Sequence, residues 1–382
     1  MPLKILHIIT RLDKGGSTEN TLLTAIGLHG KYDVSIAYGY TTFPEEILIK
    51  KAKEKNIEFF YIPELVRSIN PVKDIIAFIK IYTIIKKNKF DLVHTHCSKA
   101  GILGRFAAKA AKVKVIIHTP HGHVFYGYYN RIISYLFILI ERIAAKITNK
   151  IITLTPYGIE EHIKYKIASR EKFISIHSGV NLKKNFTENE IKYIKNELGI
   201  PLDSIIIGSI GRFEPVKGYK YMIEAARIVI DKCKNKKIKF VLAGSGSLYK
   251  KLKEQISKLN LNENFIILPW IDDTAKFISV LDIFVLPSLN EGMSKTLVQA
   301  LILGKVSVAT KVGGIPSIIK DRETGILVNC NSISLAEGII ELLNNENLCK
   351  KIKENIKKID PYNFSVEKMI EMLDDLYEKC FT

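Results

Sequence analysis

The chain has 382 residues, 47% hydrophobic and 25% charged, with 57 lysines and arginines against 39 acids and a formal charge of +18. That composition is that of a soluble globular protein and excludes a disordered one, and the length suffices for two domains that each bury a core. Its five scattered cysteines form no Cys-x-x-Cys pair, which argues against a disulfide framework or a structural zinc site and fits a reducing cytoplasm.

In chain order, residues 4–10 read as a first strand leading into a Gly-Gly loop, not as a secretory signal. Gly15-Gly16-Ser17 then opens a helix to about Leu28. Strand-like runs recur at 33–37, 59–62, 92–96, 115–119 and 150–154, with helical patterns between most of them. Asn70-Pro71 starts one such helix, with proline at the first helical position, where its missing N–H costs nothing. The longest apolar run, 132–140, is broken by Ser134 and is well short of the ~20 residues that span a bilayer. Alternation of strands and helices predicts a parallel, doubly wound sheet. Between 177 and 204 the pattern changes: Ser178-Gly179-Val180-Asn181 reads as a turn and 185–199 is polar. Here the reading divides the chain into domains 1–184 and 185–382. Alternation resumes with strands at 205–210, 239–243, 265–268, 283–286, 306–309 and 325–328, and Ser334-Leu335-Ala336-Glu337 reads as a capping box.

Chemistry-bearing residues collect where these strands end. Pro287-Ser288-Leu289-Asn290-Glu291-Gly292-Met293-Ser294 lies between the strand at 283–286 and a helix at 296–303 closed by Gly304. Unpaired backbone N–H groups and the helix dipole favour anions at such a junction, and open α/β sheets bind ligands at the carboxyl ends of strands. In Gly211-Arg212-Phe213-Glu214-Pro215-Val216-Lys217-Gly218, Arg212 and Lys217 could reach a diphosphate, or the loop could be an exposed basic turn. It lacks the Gly-Lys-Ser/Thr ending of a Walker loop. Gly244-Ser245-Gly246 ends another strand, but Tyr249 stands where a dinucleotide fingerprint needs its third glycine, which excludes a nicotinamide enzyme. Trp270, the only tryptophan, reads first as core packing. Gly15-Gly16 permits close backbone approach to a ligand, or is an ordinary tight turn.

Five of the nine histidines, His94, His96, His118, His121 and His123, fall within 30 residues. On a strand His94 and His96 point the same way, but no carboxylate or cysteine completes a metal site, so buried, hydrogen-bonded histidines are expected at His94 and His118. Phe125, Tyr126, Tyr128 and Tyr129 form an aromatic loop suited to sugar stacking or to packing. The helix at 130–148 combines an apolar stripe with Arg131, Arg142 and Lys146, as a helix on a membrane surface does, or one packed on a sheet. The basic excess suits an anionic membrane surface ahead of nucleic acid, or reflects a Lys- and Ile-rich composition.

The stretch around Glu291 resembles the signature of retaining nucleotide-sugar glycosyltransferases of the GT-B fold, family 4: Glu, seven residues, Glu, with Gly after the first and Ala after the second. Glu291, Gly292 and Ala300 match, and Gln299 stands in place of the second acid. The family's Gly-Arg-apolar-three-residues-Lys-Gly is matched at 211–218, its Thr-x-His-Gly at Thr119-Pro120-His121-Gly122, and its Gly-Gly-x-x-Glu at Gly15, Gly16 and Glu19. The resemblance spans essentially the whole chain. It implies an α/β GT-B fold of two Rossmann-like doubly wound domains facing across a cleft, 1–184 on the acceptor side and 185–382 binding the nucleotide sugar, the last helix (about 365–379) crossing back.

By the same matching, His121, Arg212, Lys217 and Glu291 are the catalytic set. Arg212 and Lys217 hold the diphosphate and Glu291 the sugar hydroxyls, His121 contacts the donor sugar, and backbone N–H groups of Gly292, Met293 and Ser294 assist. Gln299 takes the ribose position, Gly15 and Gly16 shape the donor phosphate and acceptor region, and Gly244 and Trp270 lie near the nucleotide. No Asp-x-Asp occurs, which suits a transferase without metal or cofactor. The implied activity is hexosyl transfer from a nucleotide diphosphate sugar, UDP- ahead of GDP-sugar, to a lipid-linked or glycan acceptor in surface polysaccharide or glycolipid synthesis. Its expected place is cytoplasmic, peripheral on the inner face of the plasma membrane, with no nucleic acid partner. The rivals are a GT-B-fold sugar-nucleotide epimerase, which needs no acceptor; a weakly active partner subunit, because of Gln299; and a basic nucleic-acid binder.

Overall fold

The computed structural model describes residues 2–122, 125–126, 130–181 and 186–382. Its contacts divide the chain into two compact units, Met1–Gly179 with Phe364–Thr382, and Val180–Asn363. The first division falls at Gly179, whereas the sequence reading puts it at 184/185, in a stretch outside the described residues.

Among its described residues the first unit holds seven strands: β1 (Lys4–Ile9), β2 (Asp33–Tyr38), β3 (Glu58–Tyr61), β4 (Leu92–His96), β5 (Val115–Thr119), β6 (Lys150–Thr153) and β7 (Phe173–Ser175), in the order β3-β2-β1-β4-β5-β6-β7. Every ladder is parallel. Sheets covered on both faces read as continuous apolar runs, and β1 splits its residues accordingly. Ile5 and Ile9 join one core cluster with Leu22, Leu28, Leu373 and Tyr377, while Leu6 and Ile8 join another with Ala77, Ile81 and Ala107.

The terminal helix Val366–Phe381 belongs to the first of these clusters. Ser365 caps it by accepting from the Lys368 N–H at 3.0 Å. Met369, Leu373, Leu376 and Tyr377, at i, i+4, i+7 and i+8, form its buried stripe. Lys31 Nζ and the Tyr32 hydroxyl each donate to Asp374 at 2.7 Å, fixing the helix against the turn between the helix Gly16–Leu28 and β2.

The second unit holds β8 (Ile205–Ile210), β9 (Ile238–Ala243), β10 (Phe265–Leu268), β11 (Ile283–Leu286), β12 (Val306–Thr310) and β13 (Ile326–Val328), all parallel, in the order β10-β9-β8-β11-β12-β13. The helix Lys295–Ile302 closes with Gly304 at φ 69°, Lys305 N–H donating to Ala300 O and Gly304 N–H to Leu301 O, both at 2.8 Å. Those two bonds are a Schellman closure. One sequence reading is corrected: Asn331, not Ser334, caps the helix Ser332–Asn344, its side-chain oxygen accepting from the Ser334 N–H at 2.8 Å. Asn is as good a cap as Ser and stands three residues upstream, so Ser334 falls inside the first turn.

In both sheets the strand order reverses next to the first strand, at β1/β4 and at β8/β11. Crevices at such switch points bind ligands in open α/β sheets. Among the described residues no helix is long and apolar enough to cross a membrane.

Candidate active site

The β8/β11 switch point of the second unit brings two of the expected residues into contact. Lys217 Nζ lies 2.6 Å from Glu291 Oε1, and the Ser288 hydroxyl donates to the same oxygen at 2.8 Å. Both side chains are largely covered. The loops carrying them are tied by backbone bonds: Leu289 N–H donates to Val216 O at 2.8 Å and Gly314 N–H to Glu291 O at 2.9 Å. Two glycines make these approaches feasible. Gly218 has φ 65° and a Cβ there would sit 2.0 Å from Pro287 O; Gly313 has φ 48° and a Cβ would sit 1.9 Å from Glu291 O. The Thr310 hydroxyl fixes the Ser288 carbonyl at 2.5 Å. A carboxylate and an ammonium are therefore held in place before any ligand arrives.

Arg212 follows β8 and is half-buried, and its guanidinium makes no hydrogen bond or ion pair among the described residues. Gly244, after β9, stands so close to Gly211 that a Cβ would lie 2.0 Å from the Gly211 carbonyl oxygen. Ser294 caps the helix Lys295–Ile302 with its own hydroxyl, and Met293 is buried. What Gly292, Met293 and Ser294 offer a ligand is thus backbone N–H. Gln299 points its carbonyl oxygen at the Thr274 hydroxyl, 2.7 Å away. Trp270 is not core packing: it is half-buried beyond the end of β10, its indole N–H donating to Asp272 at 2.9 Å. An indole N–H needs an acceptor, and this one finds it two residues along in a loop.

In the first unit the residues expected at the site also stand at strand ends. Gly15, with φ 151°, caps the helix Gly16–Leu28 without a side chain, and Gly16 is exposed. Cys97 follows β4 with φ 62°, and His121 follows β5 with φ 59°. Left-handed backbone at a non-glycine residue costs energy and clusters at functional sites. His96 Nδ1 lies 2.9 Å from His121 Nε2, and His96 Nε2 lies 2.9 Å from His7 Nδ1. His94 engages the Tyr377 hydroxyl through Nδ1 at 2.6 Å and the Thr119 hydroxyl through Nε2 at 2.8 Å. His118 Nδ1 lies 2.9 Å from the Thr95 hydroxyl. Burial pushes His94, His96 and His118 well below the ordinary histidine range, and His7 down to about 3.

His7, which the sequence reading missed because it sits inside the apolar run of β1, thus joins His94 and His96. Their ring nitrogens lie within 4.8 Å of one another. Each of the three rings uses at least one nitrogen in a bond to another residue, and His94 and His96 use both. Phe125 is buried, and the Tyr126 hydroxyl donates to Glu161 at 2.6 Å, so these two aromatics pack within the unit. His123, Tyr128 and Tyr129 lie outside the described residues.

Residues 16–184 match the family model described as Glycosyltransferase Family 4, and residues 190–359 that described as Glycosyl transferases group 1. The chain is 30% identical over 328 residues to a UDP-Gal:alpha-D-GlcNAc-diphosphoundecaprenol alpha-1,3-galactosyltransferase of Escherichia coli, covering 85% of this chain and 84% of that protein. It is 26% identical over 345 residues to the capsular polysaccharide biosynthesis glycosyltransferase CapM of Staphylococcus aureus, 86% and 87% of the two chains. Among solved structures it resembles HepE of Anabaena in complex with UDP and glucose, with a TM-score of 0.82, 17% identity, and 99% and 100% of the two chains covered. Two parallel-sheet Rossmann-like units, matched in order by these two models, identify the chain as a GT-B glycosyltransferase of group 1, family 4.

Proposed function

We propose that the protein transfers a hexosyl group from a UDP-sugar, with retention, to a lipid-linked or glycan acceptor in surface polysaccharide or glycolipid synthesis. The observation that carries the reading is the Lys217–Glu291 contact at the β8/β11 switch point, beside an Arg212 that no described residue occupies. Arg212 grips the diphosphate as a planar fork and Lys217 as a point charge, and both offset the negative charge that grows as the sugar leaves. Glu291 accepts from sugar hydroxyls, and backbone N–H groups at the start of the helix Lys295–Ile302 add to the anion site. The departing phosphate oxygen takes the acceptor proton on the face where the new bond forms, so no protein base is needed.

Two cations, Arg212 and Lys217, with no Asp-x-Asp motif in the sequence, support transfer without a metal. The UDP donor and lipid-linked acceptor are supported by the E. coli relative, a UDP-Gal:alpha-D-GlcNAc-diphosphoundecaprenol galactosyltransferase, and by the UDP in the HepE complex. The test is transfer from a panel of UDP- and GDP-sugars to undecaprenyl-diphosphate-GlcNAc, with and without chelator, alongside thermal shift. A ligand at 100 times its Kd stabilises the native state by about 2.7 kcal/mol. Turnover of the nucleotide sugar without acceptor would favour an epimerase, and loss of transfer with chelator would end the metal-free reading.

The acceptor class implies work at a membrane face, and the first unit supports this. The helix Arg131–Lys146 buries Ser134, Ile138, Glu141 and Ala145 but carries a second, outward apolar stripe of Ile132, Tyr135, Leu136, Ile140 and Ile143. The helix Pro71–Asn88 likewise exposes Val72, Ile75 and Ile79, followed by Lys86 and Lys87. Apolar stripes flanked by cations suit an anionic lipid surface. The protein is expected to sediment with phosphatidylglycerol vesicles and far less with phosphatidylcholine. Binding should fall at 1 M salt, where the Debye length is about 3 Å, and in Ile132→Asp/Leu136→Asp. Equal binding to both lipids would end this part of the proposal.

A further inference from the structure

The helix Ser98–Ala110, which follows β4, packs between Pro71–Asn88, which follows β3, and Arg131–Lys146, which follows β5. Two ion pairs set the heights of the three helices: Lys99 meets Asp74 of one neighbour, and the fully buried Arg105 meets Glu141 of the other at 2.8 Å. Apart from Arg105, the buried side of the middle helix is Ala100, Gly101, Gly104, Ala107 and Ala108. Such small residues let it lie close on the sheet. A Cβ on Gly101 would sit 2.4 Å from the His118 ring, and one on Gly104 2.7 Å from the Thr95 methyl. Ile102 and Phe106, on its outward side, are therefore half-buried, whereas Ile75 and Ile79 on one flank are 62% and 54% exposed and Leu136 and Ile143 on the other 53% and 54%. The result is a trough with an apolar floor between two apolar ridges, their axes two helix spacings or about 16–20 Å apart.

We propose that this trough holds the isoprenoid chain of the lipid-linked acceptor. The inference rests on the acceptor class proposed above and adds the place where the chain lies. Shape selects a chain over a flat bilayer: a bilayer surface rests on the ridges and leaves Ile102 and Phe106 short of contact, whereas a single flexible chain reaches them. Direction selects a chain that ends at the site. All three helices start at the carboxyl ends of their strands, so the trough opens at the end of the sheet where Cys97 and His121 stand, the end at which open α/β sheets bind ligands. Chemistry agrees, because between Lys99 and Lys109 the outward side of the middle helix carries only apolar residues. An isoprenoid asks nothing of that floor but apolar contact, and each carbon covered there leaves water.

The experiment assays the full chain without vesicles, on GlcNAc-diphosphates whose isoprenoid chains have two, three and four units, each below its micelle concentration. Acceptor KM should fall about tenfold per added unit, since even partial burial of five carbons is worth that much, and kcat should stay the same. In Phe106→Ser, and in Ile102→Trp, which fills the floor without adding charge, the dependence should flatten to less than about threefold per unit. Ile102→Trp keeps the test alive should Phe106→Ser not fold. Independently of turnover, farnesyl diphosphate carrying a benzophenone should label Ser98–Ala110 on illumination, and unlabelled farnesyl diphosphate should compete. A KM indifferent to chain length overturns the inference, as does labelling that spares all three helices. So does an Ile102→Trp variant altered only in vesicle sedimentation, which would assign the face to the bilayer, or only in mass by light scattering, which would assign it to a second copy. Labelling of Ser98–Ala110 in a protein that transfers to no lipid-linked acceptor would refute the proposed acceptor and leave the chain site standing. Transfer without chain-length dependence would do the reverse.

Discussion

Arg212→Ala should lower transfer by about 10²–10³-fold while leaving thermal unfolding unchanged. The magnitude is that of removing one preorganised donor from a developing anion. The neutrality towards stability follows from the site: the guanidinium has no hydrogen-bonded partner among the described residues, so truncation strands no other group. Lys217→Ala should cost a similar factor in rate but behave differently in the unfolding experiment. It removes the cation 2.6 Å from Glu291, leaving that carboxylate, largely covered, with the Ser288 hydroxyl. Stranding one member of a covered pair destabilises more than the pair itself stabilises, so Tm should fall in Lys217→Ala and not in Arg212→Ala. Arg212→Lys keeps the charge but loses the fork, and should recover only part of the rate. Kinetics and thermal unfolding on the same three proteins check the set; near-wild-type turnover in both alanine variants would remove the diphosphate assignment.

Most strands were legible as short, largely apolar runs, the central ones buried on both faces, and β4, β5, β8, β10 and β11 have the bounds the sequence predicts. The site loops were legible because glycine, acid and base stand together after such runs, at Gly211–Gly218 and around Glu291. What escaped is tertiary. Nothing local to Gly313 says that its α-carbon meets the backbone of Glu291, and nothing near Thr274 says that its hydroxyl reaches Gln299, 25 residues on. β7, the three residues Phe173–Ser175, has no counterpart in the sequence reading. His7 hides among isoleucines and leucine, where its neighbours argue only for a core strand. Trp270 misleads for the opposite reason: a lone indole after a strand reads as core, whereas Asp272 two residues later supplies the acceptor that lets it stay half-exposed.

Glu291→Ala should remove transfer, with residual activity below about a hundredth of wild type, the scale of losing one group that binds the transition state. The substitution acts twice. It takes away the acceptor proposed for the sugar hydroxyls, and it releases Lys217, which the 2.6 Å contact now holds in one place. Glu291→Gln separates the two effects: its amide oxygen can still accept from Ser288 and from a sugar hydroxyl, but the charge that fixes Lys217 is gone, so activity should fall between wild type and Glu291→Ala. The contrast is Gln299→Glu. Its carbonyl oxygen already accepts from Thr274 at 2.7 Å, so what the amide adds for a ribose hydroxyl is chiefly an N–H donor. A carboxylate there would accept from Thr274 and from the ribose together, through bonds roughly twice as strong as neutral ones. Donor KM should therefore fall several-fold while kcat stays put, because the ribose contact is the same in the ground and transition states. A wild-type protein inactive with every donor, and made active by Gln299→Glu, would show instead that Gln299 marks a disabled copy in which the Lys217–Glu291 pair survives without its chemistry.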